Sequence, residues 1–78
     1  MMNQSMKGLI SSQEIVSKFG IPYSTVTHYT NLGFFAVVKR KGNRRFYYEG
    51  EVVSQLDKIT RLKDAGYPLR LIRKKLVG

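Results

Sequence analysis

The alternation of apolar and polar residues predicts a short helix near the start of the chain. Ile15 and Phe19 recur at helical spacing in the segment SSQEIVSKFG, which places both side chains on one face. Ser11 stands three residues before Glu14, the spacing of a capping box at a helix N-terminus. These features predict a helix over residues 12–19.

A second helical pattern follows after almost no linker. Val26, Tyr29 and Leu32 recur at helical spacing, and Gly33 suits the left-handed position that ends a helix. The pattern predicts a helix over residues 23–31. Two short helices joined by a tight turn that contains glycine are a helix-turn-helix by local geometry.

Residues 34–50 predict a basic β-hairpin. The segment FFAVVKRKGNRRFYYEG is rich in β-branched and aromatic residues on both sides of Lys41, Gly42 and Asn43. Glycine and asparagine both tolerate the positive φ that a tight hairpin turn needs. We therefore expect the turn at these three residues.

The last part of the chain predicts two more helices. Val52, Leu56 and Ile59 recur at helical spacing, and Gly66 marks the end of that helix. A final helix over about residues 69–77 places an apolar stripe on one side and bases on another. The predicted fold class is mainly α with a small β-hairpin, a winged helix-turn-helix in the order helix, helix, hairpin, helix, helix.

Length and composition limit what the protein can be. At 78 residues the chain is one small domain, which we assign to residues 9–78, and we expect the polar residues 1–8 to be disordered. The absence of cysteine excludes disulfides and thiolate metal sites. No apolar run approaches the length of a membrane span. We expect a cytoplasmic, nucleoid-associated protein that does not bind membranes.

The distribution of charge favours a polyanionic partner. Of the net charge of +9, residues 37–48 carry +5, residues 1–36 carry +1 and residues 49–78 carry +3. Such a field attracts nucleic acid first. His28 is the only histidine, so we expect no metal site, which needs several ligands. No nucleophile and base or acid pair stands at workable spacing, so we expect neither catalysis nor a cofactor.

The second helix offers a surface that can read DNA. If its apolar residues face the core, four polar residues fall on the opposite face: Ser24, Thr27, His28 and Asn31. Their hydroxyl, imidazole and amide groups match the donors and acceptors of the major groove. The hairpin beside it would hold flanking phosphates or enter the minor groove with Lys39, Arg40, Lys41, Arg44 and Arg45.

Four segments together resemble the DNA-binding domain of MerR-type transcriptional regulators, over about residues 9–77. They are SSQEIVSKFGI, STVTHYTNLGFF, GNRRFY and ITRLKDAGYPLRLI. The resemblance implies that the second helix enters the major groove and that the hairpin, or wing, lies along the backbone. By position it carries DNA contact onto Thr25, Thr27, His28 and Tyr29 in the helix, and onto Arg45 and Tyr47 in the wing.

The chain departs from the family pattern at several places. The run THYT at residues 27–30 stands where the family has Arg-Tyr-Tyr-Glu, so the usual cation of that helix is missing. Asn43 stands at the usual wing glycine as a left-handed residue, and Tyr48 replaces the usual polar cap of the third helix. The family's long dimerising helix and effector domain are not among these residues, which indicates an excised domain or a small member. We expect a monomer in solution; self-association on DNA, or through a region absent from this chain, stays open.

The sequence therefore predicts a regulator of transcription that binds double-stranded DNA sequence-specifically and is not an enzyme. Two alternatives stay open. Excisionase-like recombination accessory proteins share the compact winged layout. The other alternative is an interaction module whose basic wing binds an acidic protein partner. Salt-sensitive binding to DNA, without binding to acidic protein, would favour the DNA-binding regulator over this module.

Overall fold

A computed structural model of the chain describes residues 8–78. Its four helices are α1 (Ser12–Phe19), α2 (Tyr23–Asn31), α3 (Glu49–Asp64) and α4 (Leu69–Leu76), and its three strands are β1 (Leu9–Ser11), β2 (Lys39–Lys41) and β3 (Arg44–Tyr48). This is the expected winged helix-turn-helix, mainly helical with a small antiparallel sheet. The sequence predicts disorder for residues 1–8. All of them except Gly8 lie outside the part of the chain that the structure describes.

The sheet contains one strand more than the predicted hairpin. Its order is β1-β3-β2, and β1 pairs antiparallel with β3 so that Ile10 lies opposite Tyr47. Beyond β1, the carbonyl of Gly8 accepts a hydrogen bond of 2.8 Å from the Glu49 N–H. The residue before this helix, Tyr48, provides no side-chain cap. The bond to Gly8 therefore satisfies one backbone amide at the start of α3 that would otherwise lack an acceptor.

The wing turns over two residues, and only the first of them has a positive φ. Lys41 pairs with Arg44 across the hairpin, and Gly42 between them has a φ of 62°. No residue other than glycine has a positive φ in the described part of the chain. The left-handed conformation expected for Asn43 is therefore wrong: the preceding glycine adopts it, as in a type II′ turn.

The start of α1 shows the predicted capping box. The Glu14 N–H donates to the Ser11 hydroxyl oxygen at 3.2 Å, and the Ser11 N–H donates to a Glu14 carboxylate oxygen at 2.8 Å. Two backbone donors are thus satisfied by side chains, a gain of about 1 kcal/mol relative to an alanine cap. The cap fixes where the chain leaves β1 and enters the helix.

One core connects the helix-turn-helix, the sheet and the last two helices. Its fully buried side chains include Ile15, Val26, Phe34, Phe35, Tyr47, Val52, Ile59 and Ile72. Aromatic rings meet edge to face at its centre: the Tyr29 ring lies 5.4 Å from the ring of Phe34 and 5.7 Å from that of Phe35. Each such pair adds about 1 kcal/mol beyond the area it buries.

We expect Gly33→Ala to destabilise the domain by about 1–3 kcal/mol. Gly33 follows α2 with a φ of 91°, and an added Cβ would lie 3.2 Å from a Val77 methyl carbon. Both the left-handed backbone and the contact oppose a side chain. The matched control is Gly50→Ala within α3, where no atom lies within 4 Å of the added carbon. Urea unfolding followed by circular dichroism should show a lower midpoint for Gly33→Ala only; equal midpoints would contradict this account of the turn.

Candidate nucleic-acid interface

The polar face of α2 points outward, as the helical spacing predicts. Val26 is buried on the core side. Ser24, His28 and Asn31 are exposed, while Thr25 and Thr27 are half-buried. Apart from Tyr29, the α2 side chains expected to face DNA are therefore accessible. Their contact with DNA stays a prediction.

Tyr29 belongs to the core and not to this outer face. Only 8 % of its surface is exposed, because its ring packs on Phe34 and Phe35. The DNA contact expected of Tyr29 from the resemblance stays a prediction, and only the small exposed part of its side chain is available for it. The aromatic ring stabilises α2 from the inner side, and the reading face consists of short polar side chains.

The resemblance also implied DNA contact by Tyr47, whose side chain is fully buried in this structure. Its hydroxyl lies 2.9 Å from the hydroxyl of Thr30 in α2 and 3.5 Å from the hydroxyl of Ser12 in α1. In this arrangement the side chain is not accessible to a duplex, and its contact with DNA stays an untested prediction. Residue type alone does not separate the buried Tyr47 from the exposed Tyr48 beside it.

The wing presents its bases without a neutralising partner. Lys39, Arg40, Lys41 and Arg44 are exposed and Arg45 is half-buried. The register places Arg40 opposite Arg45 and Lys41 opposite Arg44, and like charges directly opposite each other destabilise a strand pair. Within residues 8–78 the ion pairs are Lys18 with Glu49 and Arg61 with Asp57, so none of the wing bases has one. The wing keeps its charge available to an outside anion.

The comparison with known families decides what this arrangement belongs to. The family model described as MerR HTH family regulatory protein matches residues 10–77. The chain belongs to this family. As a member it is a helix-turn-helix DNA-binding regulator domain. Searches among curated proteins and among solved structures each found no match.

The MerR-family domain divides its wing bases between the two faces of the sheet. Side chains alternate along a strand, so Arg45 lies on the same face of β3 as Tyr47, and Arg40 faces it from β2. This is the face from which Tyr47 reaches α2. Arg44 lies on the other face, with its guanidinium 5.9 Å from the ring of Phe46.

Helix α4 fixes the far end of α2 in the MerR-family domain. The Arg73 guanidinium donates a hydrogen bond of 2.8 Å to the carbonyl of Leu32, the residue that ends α2. A cation at this position also interacts favourably with the helix dipole. His28 and Asn31 border a cleft that Arg70 and Arg73 line from the other side. The sequence pattern places bases on one side of this helix but indicates no partner, because nothing local to α4 reveals one in α2.

Two further properties concern only the part of the domain that the structure describes. No three side chains of the metal-binding types lie together closely enough to hold an ion there. None of its helices is long and apolar enough to cross a membrane.

Proposed function

We propose that this MerR-family domain binds double-stranded DNA sequence-specifically to regulate transcription, with α2 in the major groove and the wing on the flanking backbone. The observation that carries the proposal is that one domain presents two different surfaces. One is a face of small polar side chains on α2, and the other is a hairpin whose bases have no acidic partner within residues 8–78. The hydroxyl pair of Thr30 and Tyr47 links α2 to the hairpin strand β3. The first surface suits bases and the second suits phosphates.

The dimensions and chemistry of α2 fit the major groove. Its nine residues form a rod about 14 Å long, and the groove of B-DNA is about 12 Å wide and admits a helix. Asn31 offers the amide that pairs with adenine in two hydrogen bonds, and Thr27 offers a hydroxyl and a methyl group. His28 adds a ring that donates or accepts.

The wing fits the phosphate backbone because a phosphate relieves its internal repulsion. Arg40 and Arg45 oppose each other across the strands, and an anion placed between them attracts both guanidinium groups in the bidentate geometry that arginine favours. Because both arginines lie on the face of the sheet from which Tyr47 reaches α2, we expect this anion to be a phosphate of the duplex that α2 would read. A single α2 reads few base pairs, so we also propose that copies load next to one another on DNA.

We expect Arg45→Ala to weaken binding to all duplexes by a similar factor and to make the salt dependence shallower by about one unit. Phosphate contacts carry affinity and no sequence information. Lys58→Ala is the control, since it removes the same charge from an exposed site on α3. Fluorescence anisotropy with a target and a random duplex over a salt series measures both quantities.

Two comparisons decide between a DNA-binding domain and an interaction module: Arg45→Ala against Lys58→Ala, and duplex DNA against an acidic protein as the partner. An equal loss from Arg45→Ala and Lys58→Ala would show that the wing is not the phosphate grip. Binding to an acidic protein without salt-sensitive binding to any duplex would support an interaction module instead. Arg44→Ala, on the opposite face of the wing, should cost less than Arg45→Ala if the sheet face toward α2 is the one against DNA.

A further inference from the structure

A chain of three side-chain hydroxyls crosses the buried junction between the wing and the two helices. The Ser12 hydroxyl in α1 lies 3.5 Å from that of Tyr47 in β3, which lies 2.9 Å from that of Thr30 in α2. The Thr30 hydroxyl in turn donates to the carbonyl of Val26 at 2.8 Å. The series thus joins three elements and ends on the backbone of α2.

The proton positions in this series have one consistent direction. Each hydroxyl has a single proton, and a carbonyl can only accept. Since Thr30 donates to Val26, it accepts from Tyr47, and Tyr47 therefore accepts from Ser12. Ser12 begins the series, and Tyr47 and Thr30 each accept one hydrogen bond and donate one. Hydrogen bonds linked in this way polarise and strengthen one another in a buried site.

No second hydrogen bond joins α2 to the sheet among residues 8–78. Close to it, the ring of Phe35, in the loop after α2, meets that of Tyr47 at 6.0 Å with an interplanar angle of 71°. Ring contacts of this type tolerate sliding, whereas a hydrogen bond between two hydroxyls restricts distance and angle. From Tyr47, β3 leads back to the wing turn at Gly42 and Asn43.

We propose that Tyr47 is a positioning residue whose hydroxyl sets the placement of the wing relative to α2. This rests on the proposed function, because the placement matters when both surfaces engage one duplex. Binding to random DNA requires only charge, which tolerates many placements. Recognition of a target requires α2 and the wing to fit the groove and the backbone at the same time, so it depends on the hydroxyl.

The binding test is a pair of one-atom changes on neighbouring tyrosines. Tyr47→Phe keeps the buried ring and removes the hydroxyl, and Tyr48→Phe makes the same change at an exposed ring. For Tyr47→Phe we expect the preference for target over random duplex to fall roughly five- to tenfold, the worth of one such hydrogen bond. Affinity for random duplex should stay within about twofold of the wild-type value, and the slope of log affinity against log salt should stay the same. Tyr48→Phe should change none of these.

Variants at Thr30 test the same hydrogen bond from its other end. Thr30→Val removes the hydroxyl at nearly constant shape and should reproduce the loss of preference, while Thr30→Ser should retain it. The double variant of Tyr47→Phe and Thr30→Val should lose little more preference for the target than either change alone, because both changes remove the same Thr30–Tyr47 hydrogen bond. Should Tyr47→Phe fail to fold, the comparison of Thr30→Val with Thr30→Ser gives the answer alone.

A measurement without DNA separates this inference from the proposed function. Residual dipolar couplings of wing and α2 amides should fit one alignment tensor in the wild type and two in Tyr47→Phe. Unchanged couplings and an unchanged preference, in a chain that still binds duplex, would overturn the positioning role alone. A wild type that binds no duplex would overturn the proposed function, and with it the role of Tyr47 in recognition.

Discussion

Affinity for duplex DNA should fall roughly 10³-fold as salt rises from about 50 to about 200 mM. The cause is the release of counterions when the five wing bases and the neighbouring helix ends neutralise phosphates. If about five to seven phosphates are neutralised, the logarithm of affinity should decline against the logarithm of salt with a slope of roughly −4.5 to −6. Fluorescence anisotropy with a random duplex measures this slope directly.

A double variant assigns the slope to the wing. Replacing Arg40 and Arg45 by glutamine should reduce its magnitude by about two units, because each removed cation releases about one counterion fewer. A matched pair on the third and fourth helices, Lys58→Gln with Lys75→Gln, removes the same charge away from the wing and should leave the slope nearly unchanged. A wild-type slope near zero would contradict nucleic-acid binding altogether.

Thr27→Ala and His28→Ala should each reduce discrimination between target and random duplex by about 1–3 kcal/mol, the worth of a lost base contact. Affinity for random duplex should hardly change, since neither side chain carries a permanent charge that phosphates require. Discrimination is the ratio of the affinities for target and random duplex. It is measured by letting each unlabelled duplex compete with a labelled target duplex for the protein.

The control for this pair is Thr60→Ala, an identical change at an exposed position of α3. It should leave discrimination at the wild-type value. Unchanged discrimination in both α2 variants would mean that the outward face of α2 does not read bases, even if the wing holds the backbone.

Elements determined by local chemistry were predictable from the sequence. The observed bounds of α1 and α2 agree with the predicted residues 12–19 and 23–31, because a capping box, a proline and a glycine set them within a few positions. Strand β1 was missed, since three residues carry no periodic pattern and the strand exists only through pairing with β3. The turn was placed correctly, although the positive φ belongs to Gly42 and not to Asn43.

The candidate site was predictable to the extent that it depends on one helix or one hairpin. Helical spacing separated the exposed His28 and Asn31 from the buried Val26. The same spacing placed Tyr29 with Val26 on the core side, although the resemblance assigned it to DNA. Tyr47 could not be assigned by spacing, because a tyrosine suits a core and a surface equally. The burial of both tyrosines depends on Phe35, which contacts both rings from a loop. The support of α2 by Arg73 was equally hidden, as it joins residues distant in the chain.

In the proposed complex, α2 lies in the major groove of a specific duplex. Nuclear Overhauser effects between the labelled protein and a duplex selected from a random library test it most directly. We expect contacts from the Thr27 methyl group and the His28 ring to base protons in the major groove. Contacts to bases from α3 or α4, with none from these two side chains, would contradict it.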